Sequence, residues 1–194
     1  MGDPKRPRKK YVTPRYRWLK DLLETDLKIM GGFGLRNKRE LLIHRTALSN
    51  YRERARSLLS KSEEERVRPQ RELLGRLSNL GIVPEQASLD NVLDLTIENV
   101  LDRRLQTQVF KLGLAHSLSQ SRQLINHGHI NVGDKKVSSP SYLVSREDEK
   151  TVAYNPISPL KKTDHSIHTA PTAIPKPIPN RFDRNRYQGR GRRR

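Results

Sequence analysis

Residues 103–144 read RRLQTQVFKLGLAHSLSQSRQLINHGHINVGDKKVSSPSYLV and predict a compact unit of two short helices and two or three short strands. Leu105, Val109 and Leu112 recur at spacings of four and three, which places them on one face of a first helix. Gly113 follows them and can adopt the left-handed conformation that ends a helix.

The second helix of this unit begins at Ser117. Gln120 lies three residues further on, so the two residues have the spacing of a capping box. The residues expected on the inner face of this helix are Leu118, Ser121, Leu124 and Ile125. Gly128 is predicted to end the helix, since it follows the last apolar residue of that face.

Short strands are predicted after the second helix. Residues 129–132 and 135–137 flank Gly133-Asp134, a dipeptide that suits a two-residue hairpin turn. Residues 142–144 and 151–154 are two further short apolar segments with strand character. The sequence therefore predicts a small antiparallel sheet beside the two helices.

The polar residues of this unit suit contact with RNA. The predicted contacts are Arg103, Arg104, Ser121, Arg122, Gln123, His127, His129, Lys135 and Lys136. Arginine and lysine supply positive charge for phosphates, whereas the neutral donors can hydrogen-bond to ribose hydroxyls and fix the orientation of the RNA. The alternative interpretation is the solvated face of a small domain.

The charge of the chain is concentrated at its two ends. The formal net charge is +18, of which residues 1–20 contribute +7 and residues 181–194 contribute +6. Arms of this kind repel themselves and stay disordered until a polyanion neutralises them. Nucleic acid is the favoured polyanion, and an anionic membrane surface is the competing one. No apolar run approaches the ~20 residues of a membrane span, and no signal-peptide core follows the basic start.

The first arm mixes proline, basic and aromatic residues. Lys9, Lys10 and Arg15 are its predicted phosphate contacts, and its aromatic rings could stack on unpaired bases. Trp18 and Leu19 are expected to anchor the arm. The alternative is a solubilising tail whose Trp18 enters the core.

Residues 21–102 predict a helical domain. A short helix is expected over residues 20–31, and a long one over 36–60, where an apolar stripe has helical spacing. Arg45, Arg52 and Arg56 share another face of the long helix and span ~16 Å at its rise per residue. Three guanidinium groups at this spacing can follow a phosphate backbone.

Helix signals continue through the rest of this domain. Pro69 fits the first turn of a helix, and Ser88 can cap a short one. Thr96 can cap a helix that runs through residues 97–105 into the central unit. Residues 147–149 are expected to form an acidic turn, and residues 155–180 hold six of the twelve prolines and predict an extended tail.

No catalytic, metal or cofactor site is predicted. The chain has no cysteine, which excludes thiolate zinc sites and thiol nucleophiles. The histidine pairs at 127/129 and 165/168 lack carboxylate or thiolate partners at metal-ligand spacing. There is no phosphate loop and no nucleophile elbow. The sequence therefore predicts a protein without catalysis, cofactor or small-molecule substrate.

Residues 104–144 resemble the small RNA-binding module named after the S-four family of ribosomal proteins. The matching segments are Arg104-Leu105, Gly113-Leu114-Ala115, Ser117, Arg122-Gln123-Leu124-Ile125, His127-Gly128-His129-Ile130, Lys136-Val137 and Pro140-Ser141-Tyr142. The module also occurs in pseudouridine synthases, a tyrosyl-tRNA synthetase and small stress proteins, so the module alone leaves the function open.

The rest of the chain resembles the archaeal form of this ribosomal family. The segments that carry the likeness are GDPKRPRKKY at the start, LRNKREL at 35–41, the Tyr51-Arg52 to Ala55-Arg56 helix and LDxVLxLTIExxLxRRLQT at 89–107. The family lacks catalysis and implies a primary binder of the five-prime domain of small-subunit rRNA. The resemblance implies that the protein nucleates early assembly and lies near the mRNA entrance, beside ribosomal protein S-five. mRNA is a further candidate partner. Many bacterial relatives have N-terminal zinc-binding cysteines, which this chain lacks.

The combined expectation is an α+β protein on cytoplasmic ribosomes. A basic RNA-binding arm is predicted at 1–20, a helical rRNA-binding domain at 21–102, the S-four-type module at 103–154 and a proline- and arginine-rich tail at 155–194. The two tails are expected to be disordered. The alternative function is a free-standing RNA chaperone or ribosome quality-control factor that carries the same module.

Overall fold

A computed structural model describes Gly2 and residues 9–161 as eight helices, three strands and a short 3-10 helix. The helices are α1 Lys20–Gly32, α2 Lys38–Leu59, α3 Glu63–Asn79, α4 Leu89–Leu93, α5 Ile97–Asp102, α6 Leu105–Lys111, α7 Leu118–Asn126 and α8 Arg146–Glu149. The strands are β1 Ile130–Val132, β2 Lys135–Lys136 and β3 Val152–Tyr154, and the 3-10 helix is Pro159–Lys161.

The long helix α2 organises the first core. Its apolar stripe is buried against α3, α4 and α5, as the spacing of these residues predicts. Leu48 and Ala55 of α2 pack with Leu77 of α3 and Val92 of α4, all of them buried. Asn37 caps α2, since its side-chain oxygen accepts the Glu40 N–H at 3.1 Å.

The second core lies between α6, α7 and the sheet. Leu105, Val109, Ile125, Ile130 and Val144 are fully buried in it. The strand order is β2-β1-β3, with both pairings antiparallel. This core gives the predicted two-helix module its own apolar interior.

A third, smaller cluster lies beside the first core, because Ile97 packs against both. Leu35, Leu41 and Leu101 are buried together where the loop before α2 meets the end of α5. Gly34, in the same loop, has a φ of +59°, and a β-carbon there would lie 2.8 Å from Leu118 Cβ. A glycine is therefore required at this point for the loop to approach the start of α7.

Several local predictions are wrong. Pro69 lies inside α3, because the helix already begins at Glu63, where three glutamates occupy the first turn. The helix capped near Thr96 ends at Asp102, so it does not continue to residue 105. Residues 142–144 contribute only an isolated bridge, Arg104 to Leu143. Residues 147–149 belong to the one-turn helix α8.

The predicted fold class is confirmed. The described chain combines a mostly helical N-terminal part with a two-helix module and a short antiparallel sheet. Among the described helices, none is both long and apolar enough to cross a membrane. The expected disorder of the tails falls largely on residues 1, 3–8 and 162–194, which lie outside the described residues.

Candidate nucleic-acid interface

Helix α7 divides its side chains between the core and the surface. Ser117 caps it, because the Ser117 hydroxyl accepts the Gln120 N–H at 3.1 Å. The Gln120 side chain accepts from His116 N instead of Ser117 N, so the predicted capping box is shifted by one residue on that side. Ser119 and Gln123 are exposed on the outer face, with Arg122 half-buried between them.

The β1–β2 hairpin carries two exposed lysines. Gly133 opens its turn with a φ of +58°, which supports a turn with glycine at the first position. Lys135 and Lys136 form β2, and neither makes an ion pair within residues 9–161. The Lys136 side chain crosses Gly128, so its ammonium group stays beside the end of α7.

Two histidines lie at the same end of the module. The rings of His127 and His129 are stacked with centroids 6.3 Å apart. His129 Nδ1 lies 2.9 Å from the Ser158 hydroxyl, which ties the segment after β3 to this end. His127 is exposed, and it is therefore the histidine of this pair that is open to a ligand.

A buried charge cluster connects the module to α2. The Glu40 carboxylate lies 2.7 Å from Arg104 Nη2 and 2.6 Å from Arg122 Nη2. Arg122 Nη1 also donates to Glu40 Oε2 at 3.3 Å and to Gln106 Oε1 at 3.2 Å. Gln106 Nε2 in turn donates to the carbonyls of Gly34 and Leu118. The Glu40 carboxylate thus forms ion pairs with two guanidinium groups, and these pairs connect α2 to the module.

The surroundings of this cluster shift three pKa values. Burial raises the pKa of Glu40, but hydrogen bonds from Arg122 and Arg104 outweigh it, and the net pKa is below the ordinary value. Burial, with the positive charge of Arg104 as a second cause, lowers the pKa of His44 to about 4. Burial also lowers the pKa of Arg104, although a guanidinium group remains charged at neutral pH.

Arg103 is held by a second set of contacts. Its Nη1 forms an ion pair with Glu149 at 2.8 Å, and its Nη2 donates to the carbonyls of Val144 and Ser145. Only 11% of the Arg103 side chain is exposed. This guanidinium group therefore joins the start of the module to α8 before any RNA is bound.

The three arginines of α2 differ in their environments. Arg45 pairs with the buried carboxylate of Asp26 at 2.7 Å, and Arg52 donates to the Leu95 carbonyl. Arg56 is exposed and makes no ion pair within the described part of the chain. The predicted run of three phosphate contacts is thus divided, with Arg56 the fully available member.

The described part of the N-terminal arm lies along α2 at one point. Val12 N–H donates to the Thr46 hydroxyl at 3.0 Å. Lys9 lies over the ring of Tyr11, and Arg15 over the ring of Tyr16, at 4.7 and 5.5 Å. Lys10 is exposed.

Trp18 and Leu19 do not anchor this arm in the core. The Trp18 side chain is 87% exposed and that of Leu19 is about half-exposed. The alternative, a tail whose Trp18 enters the core, is therefore wrong. The anchoring role of Trp18 and Leu19 stays a prediction, with the indole ring open to a stacking partner.

Comparison with known proteins finds matches both to the module and to most of the chain. The S4 domain matches residues 103–150. Over 162 residues the chain is 50% identical to the small ribosomal subunit protein uS4 of Hyperthermus butylicus, covering 84% of this chain and 92% of the relative. The corresponding proteins of Ignicoccus hospitalis and Metallosphaera sedula are 49% and 46% identical. These two matches cover 84% and 83% of this chain and 98% and 90% of the relatives.

The chain belongs to the uS4 family of small ribosomal subunit proteins. The relatives are archaeal, so the predicted archaeal type is confirmed. Membership in a family of ribosomal proteins also confirms the expectation of a non-enzymatic protein. The S4 domain of this uS4 chain begins at Arg103, the residue where the central unit was predicted to begin.

Two of the predicted RNA contacts need correction in this uS4 chain. Arg104 is 1% exposed and is engaged by Glu40, and Ser121 is fully buried with its hydroxyl donating to the Ser117 carbonyl. Neither side chain can reach a ligand at the surface in this conformation. The helical spacing already predicted Ser121 on the inner face of its helix, whereas Arg104 is buried against Glu40, which is distant in sequence.

Sequence reasoning missed several candidate site residues of this uS4 chain. Arg36 and Arg39 are exposed beside the start of α2 and make no ion pair within the described residues. Both lie in the segment LRNKREL, which carries the family resemblance. Glu40 and Gln106 were missed because their partners are distant in sequence.

The arrangement offers several exposed cationic donors to a ligand. The exposed cations without ion pairs in the described chain include Arg36, Arg39, Arg54, Arg56, Lys135 and Lys136. Within the same residues, no group of three histidine or carboxylate side chains could hold a metal ion. A surface of this composition suits a polyanion that presents phosphate and ribose groups along its length.

Proposed function

We propose that the chain is a structural component of the small ribosomal subunit and binds small-subunit rRNA in its five-prime domain. The observation that carries this proposal is the 46–50% identity to archaeal relatives named small ribosomal subunit protein uS4. The match covers at least 83% of this chain, so it includes the helical part as well as the S4 domain.

The geometry of the described residues supports the same function. Arg122 and Gln123 present donors on α7, His127 and the two hairpin lysines do so beyond its end, and Arg56 does so on α2. Arg36 and Arg39 lie on the segment that joins the two regions. The donors are spread over the helical part and the module. We therefore expect the protein to recognise the shape of a folded RNA and not the sequence of a few bases.

The proposal includes a place in the subunit. Early binding would nucleate assembly, and the protein would lie near the mRNA entrance of cytoplasmic ribosomes, where it would affect translational accuracy. Its neighbours there would be ribosomal protein S-five and incoming mRNA. The resemblance to the family is the support for this place, and the exposed donors are compatible with it.

An equilibrium competition tests the RNA specificity. Labelled five-prime-domain rRNA competes against tRNA and a plain duplex for the full chain at about 0.3 M salt, where generic phosphate contacts are weakened. A preference for the rRNA fragment by orders of magnitude supports the proposal. Equal binding of all three RNAs, lost together as salt rises, contradicts it and favours a free-standing RNA chaperone or quality-control factor.

Co-sedimentation tests the ribosomal place. A structural component stays stoichiometric with small subunits through a high-salt wash, because its contacts are specific as well as electrostatic. A factor that visits stalled subunits is lost in the same wash. Full release from the subunits would therefore contradict the structural role even if rRNA binding were specific.

A further inference from the structure

Glu40 is an acidic residue beside the exposed cations Arg36 and Arg39, in a protein proposed to bind a polyanion. It lies in the first turn of α2, and 16% of its side chain is exposed. A carboxylate at an RNA interface would ordinarily repel phosphate groups. Its two oxygens, however, are both occupied by guanidinium groups of the module, those of Arg104 and Arg122.

Arg122 is held through one edge of its guanidinium group. Nη1 and Nη2 make the contacts to Glu40 and Gln106, at 2.6 to 3.3 Å. The Nε–H makes no hydrogen bond within residues 9–161, and the side chain is 21% exposed. A guanidinium group has five N–H donors in a fixed planar fork, so an anchored edge leaves the other edge aimed in one direction.

The partners of Arg122 are themselves fixed. Gln106 is fully buried and donates to two backbone carbonyls, those of Gly34 and Leu118. Arg104 is buried beside them and holds the second oxygen of Glu40 at 2.7 Å. The cluster thereby joins the loop before α2, α2 itself, α6 and α7. Three of these elements also carry exposed donors: Arg36 lies in the loop, Arg39 and Arg56 on α2, and Gln123 on α7.

We infer that Glu40 is a positioning residue for RNA binding: it holds the Arg122 guanidinium by one edge and keeps the other edge, with α7, aimed at an RNA phosphate. Glu40 does not contact the RNA. This role rests on the proposed rRNA binding. It means that an acidic residue contributes to the recognition of a polyanion.

The inference predicts a sign opposite to that of simple electrostatics. Glu40→Gln removes a negative charge, so generic attraction to RNA should increase. If Glu40 positions Arg122, affinity for five-prime-domain rRNA instead falls about tenfold, since side chains that were fixed must now be ordered on binding. Glu53→Gln is the matched control, because Glu53 is exposed on the same helix and makes no ion pair in the described chain.

The experiment measures the affinity of the full-length protein, Glu40→Gln and Glu53→Gln for rRNA and for a plain duplex across a salt series. A positioning role predicts an rRNA-specific loss for Glu40→Gln, an unchanged or tighter duplex affinity and an unchanged salt slope, since no phosphate contact is removed. Circular dichroism and the melting transition establish that each variant is folded. Equal or tighter rRNA binding by Glu40→Gln overturns the inference, and so does an equal loss for both RNAs.

A second variant keeps the test decisive if Glu40→Gln fails to fold. Glu40→Asp retains the charge but is one methylene shorter, so it cannot hold both arginines at their present distances. An rRNA-specific loss in the folded Glu40→Asp protein supports positioning, and wild-type specificity in it overturns positioning. The unsubstituted protein separates the two proposals: if it does not prefer rRNA, the proposed function has failed before Glu40 is considered.

Discussion

Arg103 Nη1 lies 2.8 Å from Glu149 Oε2, across 46 residues of sequence, and the same guanidinium group donates to two backbone carbonyls. The Arg103 side chain also lies against Gly81, where a β-carbon would approach its Cζ to 3.1 Å. A residue that the sequence placed at the RNA surface is therefore also a structural contact between the helical part and the S4 domain.

Arg103→Ala is expected to lower the free energy of unfolding by about 2 kcal/mol, because two carbonyls and a half-buried carboxylate lose a charged donor. Chemical denaturation at neutral pH measures this change. The control is Arg146→Ala, which removes a comparable ion pair, to Glu85 at 2.6 Å, between more exposed side chains. An exposed pair contributes within about 1 kcal/mol. Equal effects of the two substitutions would contradict the structural role of Arg103.

Gly34→Ala is expected to destabilise the protein by about 2 kcal/mol or more. The positive φ of Gly34 strains an alanine, and the added carbon would lie 2.8 Å from Leu118 Cβ and 2.9 Å from Gln106 Nε2. Gly75→Ala is the matched control, since Gly75 lies within α3 with nothing within 4 Å of its β-position. That substitution should stabilise the helix by about 0.5–1 kcal/mol. Thermal melts of both variants would show opposite shifts, and a stabilising Gly34→Ala would refute the close approach.

Stability is expected to fall as the pH falls through the range set by His44. In the unfolded chain this histidine is protonated near its ordinary pKa of 6.5, whereas burial in the folded state lowers its pKa to about 4. Because the unfolded state binds more protons between these values, the free energy of unfolding decreases by up to about 3 kcal/mol from pH 7 to pH 4. The lowered pKa of Glu40 acts in the same direction at the acid end, since protonating its carboxylate weakens the pairs with both arginines.

Denaturation curves at several pH values test this dependence. His44→Gln should remove most of the slope between pH 6.5 and pH 4. His127→Gln serves as the control for the loss of one histidine, because His127 is exposed and outside the charge cluster. If the slope of His44→Gln matched that of the unsubstituted protein, the buried neutral histidine would not be its origin.

Local features of the fold could be predicted from sequence because they depend on neighbouring residues. Ser117 caps α7 through a contact three residues away, and Gly133 turns the hairpin through its own φ. The charge cluster could not be predicted in this way. Arg104 and Glu40 are 64 residues apart, and only the packing of α2 on the module shows that this arginine lies inside.

The same distinction, between contacts of neighbouring residues and contacts of distant ones, explains which site residues could be predicted from the sequence. Lys135 and Lys136 are exposed, as expected for two consecutive charged residues that directly follow a two-residue turn. Helical spacing predicts Arg45 as a phosphate contact, but its guanidinium group is occupied by buried Asp26 on α1, a partner 19 residues away that the spacing does not reveal. Donor spacing along a helix is thus a local signal, whereas the acceptor that occupies the donor is a tertiary one.

The salt dependence of RNA binding should separate exposed lysines from buried arginines. Lys135→Ala and Lys136→Ala should each weaken binding to the five-prime-domain rRNA and reduce the salt slope by about one, as expected for one lost phosphate contact. Arg104→Ala should instead lower the free energy of unfolding by about 3–5 kcal/mol, because it leaves the half-buried carboxylate of Glu40 with one partner fewer. Filter binding between about 0.1 and 0.4 M salt gives the slopes. Lys161→Ala is the lysine control, as Lys161 is exposed on the 3-10 helix outside the hairpin. An unchanged slope in both hairpin variants would remove β2 from the interface, and a stable Arg104→Ala protein with a reduced slope would return Arg104 to it.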